Sequence, residues 1–186
     1  MTLSYEKYGK ITPANIACFR ILRSGHEEET VLASTVLLIV HALLAVGLLG
    51  AITHQTIGAW LPSRSSSGSF VARVRSVAAP AYANAVVALY LSTALIGSIL
   101  YPEYRLSIRV AVEQLELPVA NGIFELKEHF AALGLAILPA YWALWRQPDS
   151  GEAPRTRGLL TALLAFIVWW NFLTGHILNN IRGFGS

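Results

Sequence analysis

The sequence predicts an all-α integral membrane protein, a four-transmembrane-helix up-and-down bundle with short amphipathic interfacial helices. Three observations carry this. Hydrophobic residues make up 54% of the 186 positions and charged residues 13%. Soluble domains carry about 45–50% and about 25%. Mean hydropathy is +0.51. Finally, Lys, Arg, Asp and Glu are absent from 30–63, 76–102, 130–145 and 158–181. A helix needs about 20 mostly apolar residues to cross the bilayer core. Such a composition excludes a disordered chain and a nucleic-acid binder. One cysteine, Cys18, excludes a disulfide framework and a thiolate zinc site.

Each element has a local reason. Residues 1–186 read as one membrane domain, with spans near 30–54, 79–101, 127–146 and 158–179. In the amphipathic segment 1–24, Thr12-Pro13 resembles an N-cap followed by an N1 proline. Ile16, Phe19, Ile21 and Leu22 with Arg20 and Arg23 then suggest a surface helix. Ser24 and Glu27 fit a capping box that would start the first span. Pro80 falls in the first turn of the second span, where proline is tolerated. The third uncharged window is short, and Lys127 and Arg146 extend it by snorkelling. Pro139 removes a donor inside it and leaves the Leu135 carbonyl without its usual partner. Between the second and third spans, 106–113 alternates like a strand. An isolated strand has no partner, so a short interfacial helix broken at Pro118 is expected. No apolar stretch near the start precedes a small-residue cleavage site, so no signal peptide is expected. Gly47, Gly50 and Gly134 are expected packing notches.

This topology puts the N-terminus, the 102–126 connection and the C-terminus on one side. Loops 62–75 and 147–157 lie on the other, which with Arg146 holds six basic and two acidic residues. The compact, acid-poor loops favour that side as cytoplasmic, with a bacterial inner membrane as the location.

Depth along each helix, at about 1.5 Å per residue, sorts the polar residues into two layers. His41, Tyr90 and Asn171 fall near the midplane, where polar groups need partners. His129 and His176 fall near the first side, with Glu125, Glu128, Tyr101, Asn179 and Asn180 around them and His26 at the foot of the first helix. On this reckoning His41 and His129 differ by roughly 13 Å along the normal. His54 stands alone at the opposite edge. Trp169 and His176, seven apart, share a helix face.

Three chemistries suit the His129–His176 layer. Two neutral imidazoles from different helices can ligate b-type haem axially, with Trp169, Asn171 and His41 as further cofactor contacts. His129, His176, Glu125 and Glu128 can hold a non-haem metal. The same groups can relay protons. The expected function is therefore a membrane electron-transfer protein or redox-complex subunit, possessing haem b and contacting quinone. Its partners are the lipid bilayer and other subunits or further copies. Enzymatic turnover is not implied. The alternatives are a non-haem metal protein and a structural or assembly subunit without any cofactor. No His-Glu-x-x-His pattern is present, and His41 and His54 are 13 apart, about 140° from sharing a helix face.

Overall fold

The computed structural model describes residues 13–60, 79–114, 116–147 and 153–184, and these contain no strand. Loop 62–75, and with it Thr12 of the N-cap reading, lies outside the described residues. The long helices are α1 (Pro13–Trp60), α2 (Ala79–Glu103), α4 (Pro118–Leu144) and α5 (Ala153–Phe184). A π-helical turn, Tyr104–Ile108, joins α2 to the short α3 (Arg109–Gln114). Among the described residues, three stretches are long and apolar enough to cross a membrane: Val31–Trp60, Ala81–Leu106 and Pro154–Asn180.

Helix α4 is not among them, for a reason visible in its sequence. Glu125, Lys127 and Glu128 lie inside it, and the uncharged run 130–145 has 16 residues. At 1.5 Å per residue that is about 24 Å, short of the ~30 Å hydrocarbon core.

Two helix starts depart from expectation. Helix α1 already runs from Pro13, so Ser24 lies within it and does not cap it. Proline is well placed there, since the first helical N–H has no partner anyway. Helix α4 begins at Pro118, nine residues before the span placed at 127.

The 102–126 connection is helical, not extended. Its break is a Schellman motif. The Leu117 amide donates to the Val112 carbonyl at 3.1 Å, and the Glu116 amide to the Glu113 carbonyl at 3.1 Å. Glu116 sits at the left-handed position with φ 55°. Glycine usually fills that position, and glutamate there bears a Cβ penalty. Pro118 then opens α4 at a position that needs no amide donor.

The chain divides into two compact units, residues 1–39 and 40–186. In the first, Thr35 Oγ1 donates to the Val31 carbonyl at 2.8 Å. Val31, Leu32, Val36 and Ile39 are exposed.

The second unit has a narrow core. Leu48, Ile52, Val86, Tyr90, Leu138, Tyr141, Leu164 and Val168 are buried in one cluster. Each helix contributes only one stripe to it. Outside the stripes stand Leu91, Leu95, Ile99, Leu133, Leu159, Leu163, Phe166 and Leu173, all exposed. Exposed apolar surface on this scale marks a contact with lipid or protein.

Polar contacts between helices fix the register. Tyr90 Oη donates to the Ala131 carbonyl at 2.9 Å, tying α2 to α4. Gly134 is the notch that admits this phenol, since a Cβ there would overlap the Tyr90 hydroxyl. Gly47 meets Leu89 only at van der Waals distance, and Gly50 faces nothing within 4 Å. Only one of the three glycines therefore permits a close approach that a methyl would block. Buried Tyr141 donates to Gln55 Oε1, tying α4 to α1. Trp60 Nε1 donates to the Gly158 carbonyl at 3.2 Å, and Trp169 Nε1 to Thr53 Oγ1 at 3.0 Å.

Candidate functional site

The Gln55–Tyr141 pair sets α1 and α4 in register with an offset of 86 residues. Carried one way along both helices, that offset brings His41 level with Lys127. The charges of Lys127 and Glu128 both act on the His41 imidazole. The ring packs at Gly97, whose Cβ position lies 3.2 Å from His41 Cε1. Hence His41 does not lie 13 Å from the His129 level, as depth counting from residue 30 implied. Helix α1 reaches Trp60, six residues beyond the assumed end at 54, and that displacement moves His41 toward the end where α4 begins.

Lys127 is the inward residue of the Phe124–Phe130 segment. Its side chain is 19% exposed, and Nζ lies 3.3 Å from Glu128 Oε1. The ammonium stands 5.2 Å from the Phe124 ring centroid. Gly175 on α5 faces the stem at van der Waals distance, its Cβ position 3.5 Å from Lys127 Cε. Simple charge counting reads this lysine as a snorkelling end residue and gives no sign that it turns toward α5.

His129 and His176 are both exposed. The Glu125 carbonyl lies 2.7 Å from His129 Nδ1. A carbonyl only accepts, so Nδ1 carries a proton, and in the neutral ring the lone pair is then on Nε2. That tautomer can ligate a metal through Nε2 with its other nitrogen held by the carbonyl. His176 Nε2 lies 3.4 Å from Asn180 Nδ2, an amide that donates to it. A ligand at that nitrogen must displace Asn180. Among the described residues no three His, Cys, Asp or Glu side chains gather to hold a metal ion. His129, His176, Glu125 and Glu128 are thus not assembled as a four-ligand set within the chain.

Glu125 is drawn elsewhere. Arg109 Nη1 lies 3.3 Å from Glu125 Oε1, and Arg109 Nε 2.8 Å from Glu113 Oε1. Both carboxylates push the half-buried Arg109 guanidinium above its usual range, Glu113 the more strongly. Tyr104 Oη donates to Asn121 Oδ1 at 3.2 Å, and the Tyr104 ring stacks on Phe124. Arg109, Glu113, Glu116, Asn121 and Glu125 line a cleft of about 590 Å³. The π-helical turn Tyr104–Ile108 and the start of α3 at Arg109 supply the Tyr104 and Arg109 contacts to α4.

The midplane layer is not a single network. Tyr90 bonds to α4, and Asn171 Nδ2 donates to the Ile167 carbonyl of its own helix at 2.8 Å. Asn171 Oδ1 is buried without a partner among the described residues. Trp169 is spent on Thr53, while Trp170 packs against Phe130 at 5.6 Å between centroids. His54 stacks on Tyr82 at 4.8 Å. The side chain of His26 lies outside the described residues.

No protein-family model, curated protein or solved structure matches the chain.

Proposed function

We propose that the chain is an integral membrane protein whose four long helices cross the bilayer up and down, and that it works as a subunit of a larger redox assembly. The apolar helices favour a lipid environment. Helix α4, too short in its uncharged part, completes its crossing with Lys127 and Arg146 at its two ends. A bacterial inner membrane with loops 62–75 and 147–157 toward the cytoplasm remains the favoured placement. Carbonate and high-salt washing are expected to leave the protein in the membrane fraction. Its release would overturn the spanning reading.

The single observation behind the redox reading is His129, with Nδ1 held by the Glu125 carbonyl at 2.7 Å and Nε2 left able to ligate. Axial ligation of b-type haem at this level of the membrane is the chemistry such an imidazole suits, with His176 as the second ligand. Both side chains are exposed, which favours a haem at the boundary with a neighbouring subunit over one enclosed by this chain. Bound haem would supply one-electron transfer, with quinone as the candidate exchange partner at the same level. Within this chain the Glu125 carbonyl orients the His129 imidazole.

The test is a reduced-minus-oxidised visible spectrum of the complex purified from its native membrane, with metal analysis on the same sample. A sharp alpha band, lost in both His129→Ala and His176→Ala, is the expected result. Bound zinc, copper or non-haem iron without that band would point to metal binding instead.

A structural subunit without any cofactor is the second reading. Its support is the extent of exposed apolar surface, which suits contact with other subunits. It requires a flat spectrum and no metal, with assembly unaffected by either histidine substitution.

A further inference from the structure

We infer that the end of the molecule carrying Trp142, Arg146, Trp145 and Arg157 is a binding site for the phosphate of anionic phospholipids. This rests on the membrane-spanning reading and adds the lipid class and the residues that select it.

Two guanidinium groups are stacked on indole rings at the same end of α4 and α5. Arg146 Cζ lies 3.9 Å from the Trp142 ring centroid, and Arg157 Cζ 4.7 Å from that of Trp145. Both platforms are themselves fixed. Trp142 Nε1 donates to Asn84 Oδ1 at 2.8 Å, and Arg146 Nη2 donates to the same oxygen at 3.2 Å. Buried Trp145 donates to Thr161 Oγ1 at 3.1 Å. A guanidinium flat on an aromatic face keeps its in-plane N–H groups along the edge, the geometry that meets a phosphate in bidentate fashion. Asn84 accepts from one Arg146 nitrogen, and five N–H donors leave others for an oxyanion. Arg146 is exposed and makes no ion pair among the described residues.

The surroundings identify the phosphate as a lipid's. Trp60, bonded to Gly158, adds a third indole at this level, as in the aromatic belts of membrane interfaces. Exposed Leu159 and Leu163 continue from it along α5, where acyl chains would lie. Loops 62–75 and 147–157 together with Arg146 carry six basic and two acidic residues, complementary to an anionic leaflet. A zwitterionic headgroup would bring its own cation against that charge.

The full chain is purified in mild detergent and incubated with equal phosphatidylglycerol and phosphatidylcholine, and the bound lipids are counted by native mass spectrometry. Wild-type protein is expected to retain phosphatidylglycerol preferentially. Arg146→Gln is expected to weaken that preference roughly fivefold, the effect of about one surface arginine. Arg146→Lys, which keeps the charge and loses the planar fork, should fall between them. Flotation of each variant with phosphatidylcholine vesicles verifies insertion. Insertion with no phosphatidylglycerol preference, or with a preference equal in wild type and Arg146→Gln, overturns this inference alone. Failure of wild-type protein to float with any vesicle overturns it together with the spanning reading.

Discussion

Gly134→Ala is expected to destabilise the protein by about 2–4 kcal/mol, an unusual loss for a single added methyl. The new Cβ would coincide with the Tyr90 hydroxyl and press on the ring carbon that bears it. Tyr90 is 5% exposed, so the ring has no open space to enter. Its displacement would break the 2.9 Å bond to the Ala131 carbonyl and separate α2 from α4. Alanine gains about 1 kcal/mol over glycine in helix propensity, which the clash exceeds. Gly50→Ala supplies the control. Nothing lies within 4 Å of its Cβ position, so the propensity gain should stand unopposed. Thermal unfolding in mild detergent measures both. Equal stability of Gly134→Ala and wild type would show that α2 and α4 do not meet at this notch. Tyr90→Leu combined with Gly134→Ala should recover part of the loss, since the clashing hydroxyl is gone.

The helical class and the apolar stretches were legible because they depend on composition and on the spacing of charges. The helix break at Pro118 was legible too, from the missing amide of one residue. Register between helices was not. Counting depth from a residue near 30 assumed that α1 ends near 54, whereas its apolar run continues to Trp60. Nothing in a single sequence pairs Gln55 with Tyr141 or Trp60 with Gly158, and those contacts decide which residues share a level. Rotation was equally hidden. Lys127 and His129 are two residues apart, so about 200° separates them around the helix. The sequence named the histidine as a candidate ligand and the lysine as a snorkelling end, and the structure turns the lysine inward and leaves the histidine exposed. A single sequence gives no helix rotation, so it cannot tell that the lysine turns toward Glu128 and the Phe124 ring. The glycines show the same limit. Gly47, Gly50 and Gly134 look alike as letters, and only the opposing side chain distinguishes a notch from open surface.

Tyr141→Ala should remove about 3–5 kcal/mol, the range for deleting a large buried aromatic side chain. Tyr141 is 1% exposed and belongs to the cluster formed with Ile52, Leu138 and Leu164. The conservative variants separate its packing from its hydroxyl. Tyr141→Phe keeps the ring and removes the donor to Gln55 Oε1. Gln55 is 4% exposed, and its Nε2 already has no partner, so the variant strands a whole buried amide. An unsatisfied buried polar group costs about 1–3 kcal/mol, and interhelical bonds in membrane proteins average about 0.6 kcal/mol, up to ~1.7. A loss of about 1–2 kcal/mol is therefore expected for Tyr141→Phe. Gln55→Leu should cost little more than the lost bond, because it also removes the orphaned Nε2. The double variant carries apolar groups on both sides and should be more stable than the sum of the two single losses predicts. A double-mutant cycle of thermal unfolding in one detergent measures that coupling. Strict additivity, with Tyr141→Phe indistinguishable from wild type, would mean that the Tyr141–Gln55 contact does not join α1 to α4. The register that brings His41 level with Lys127 would then lose its main support.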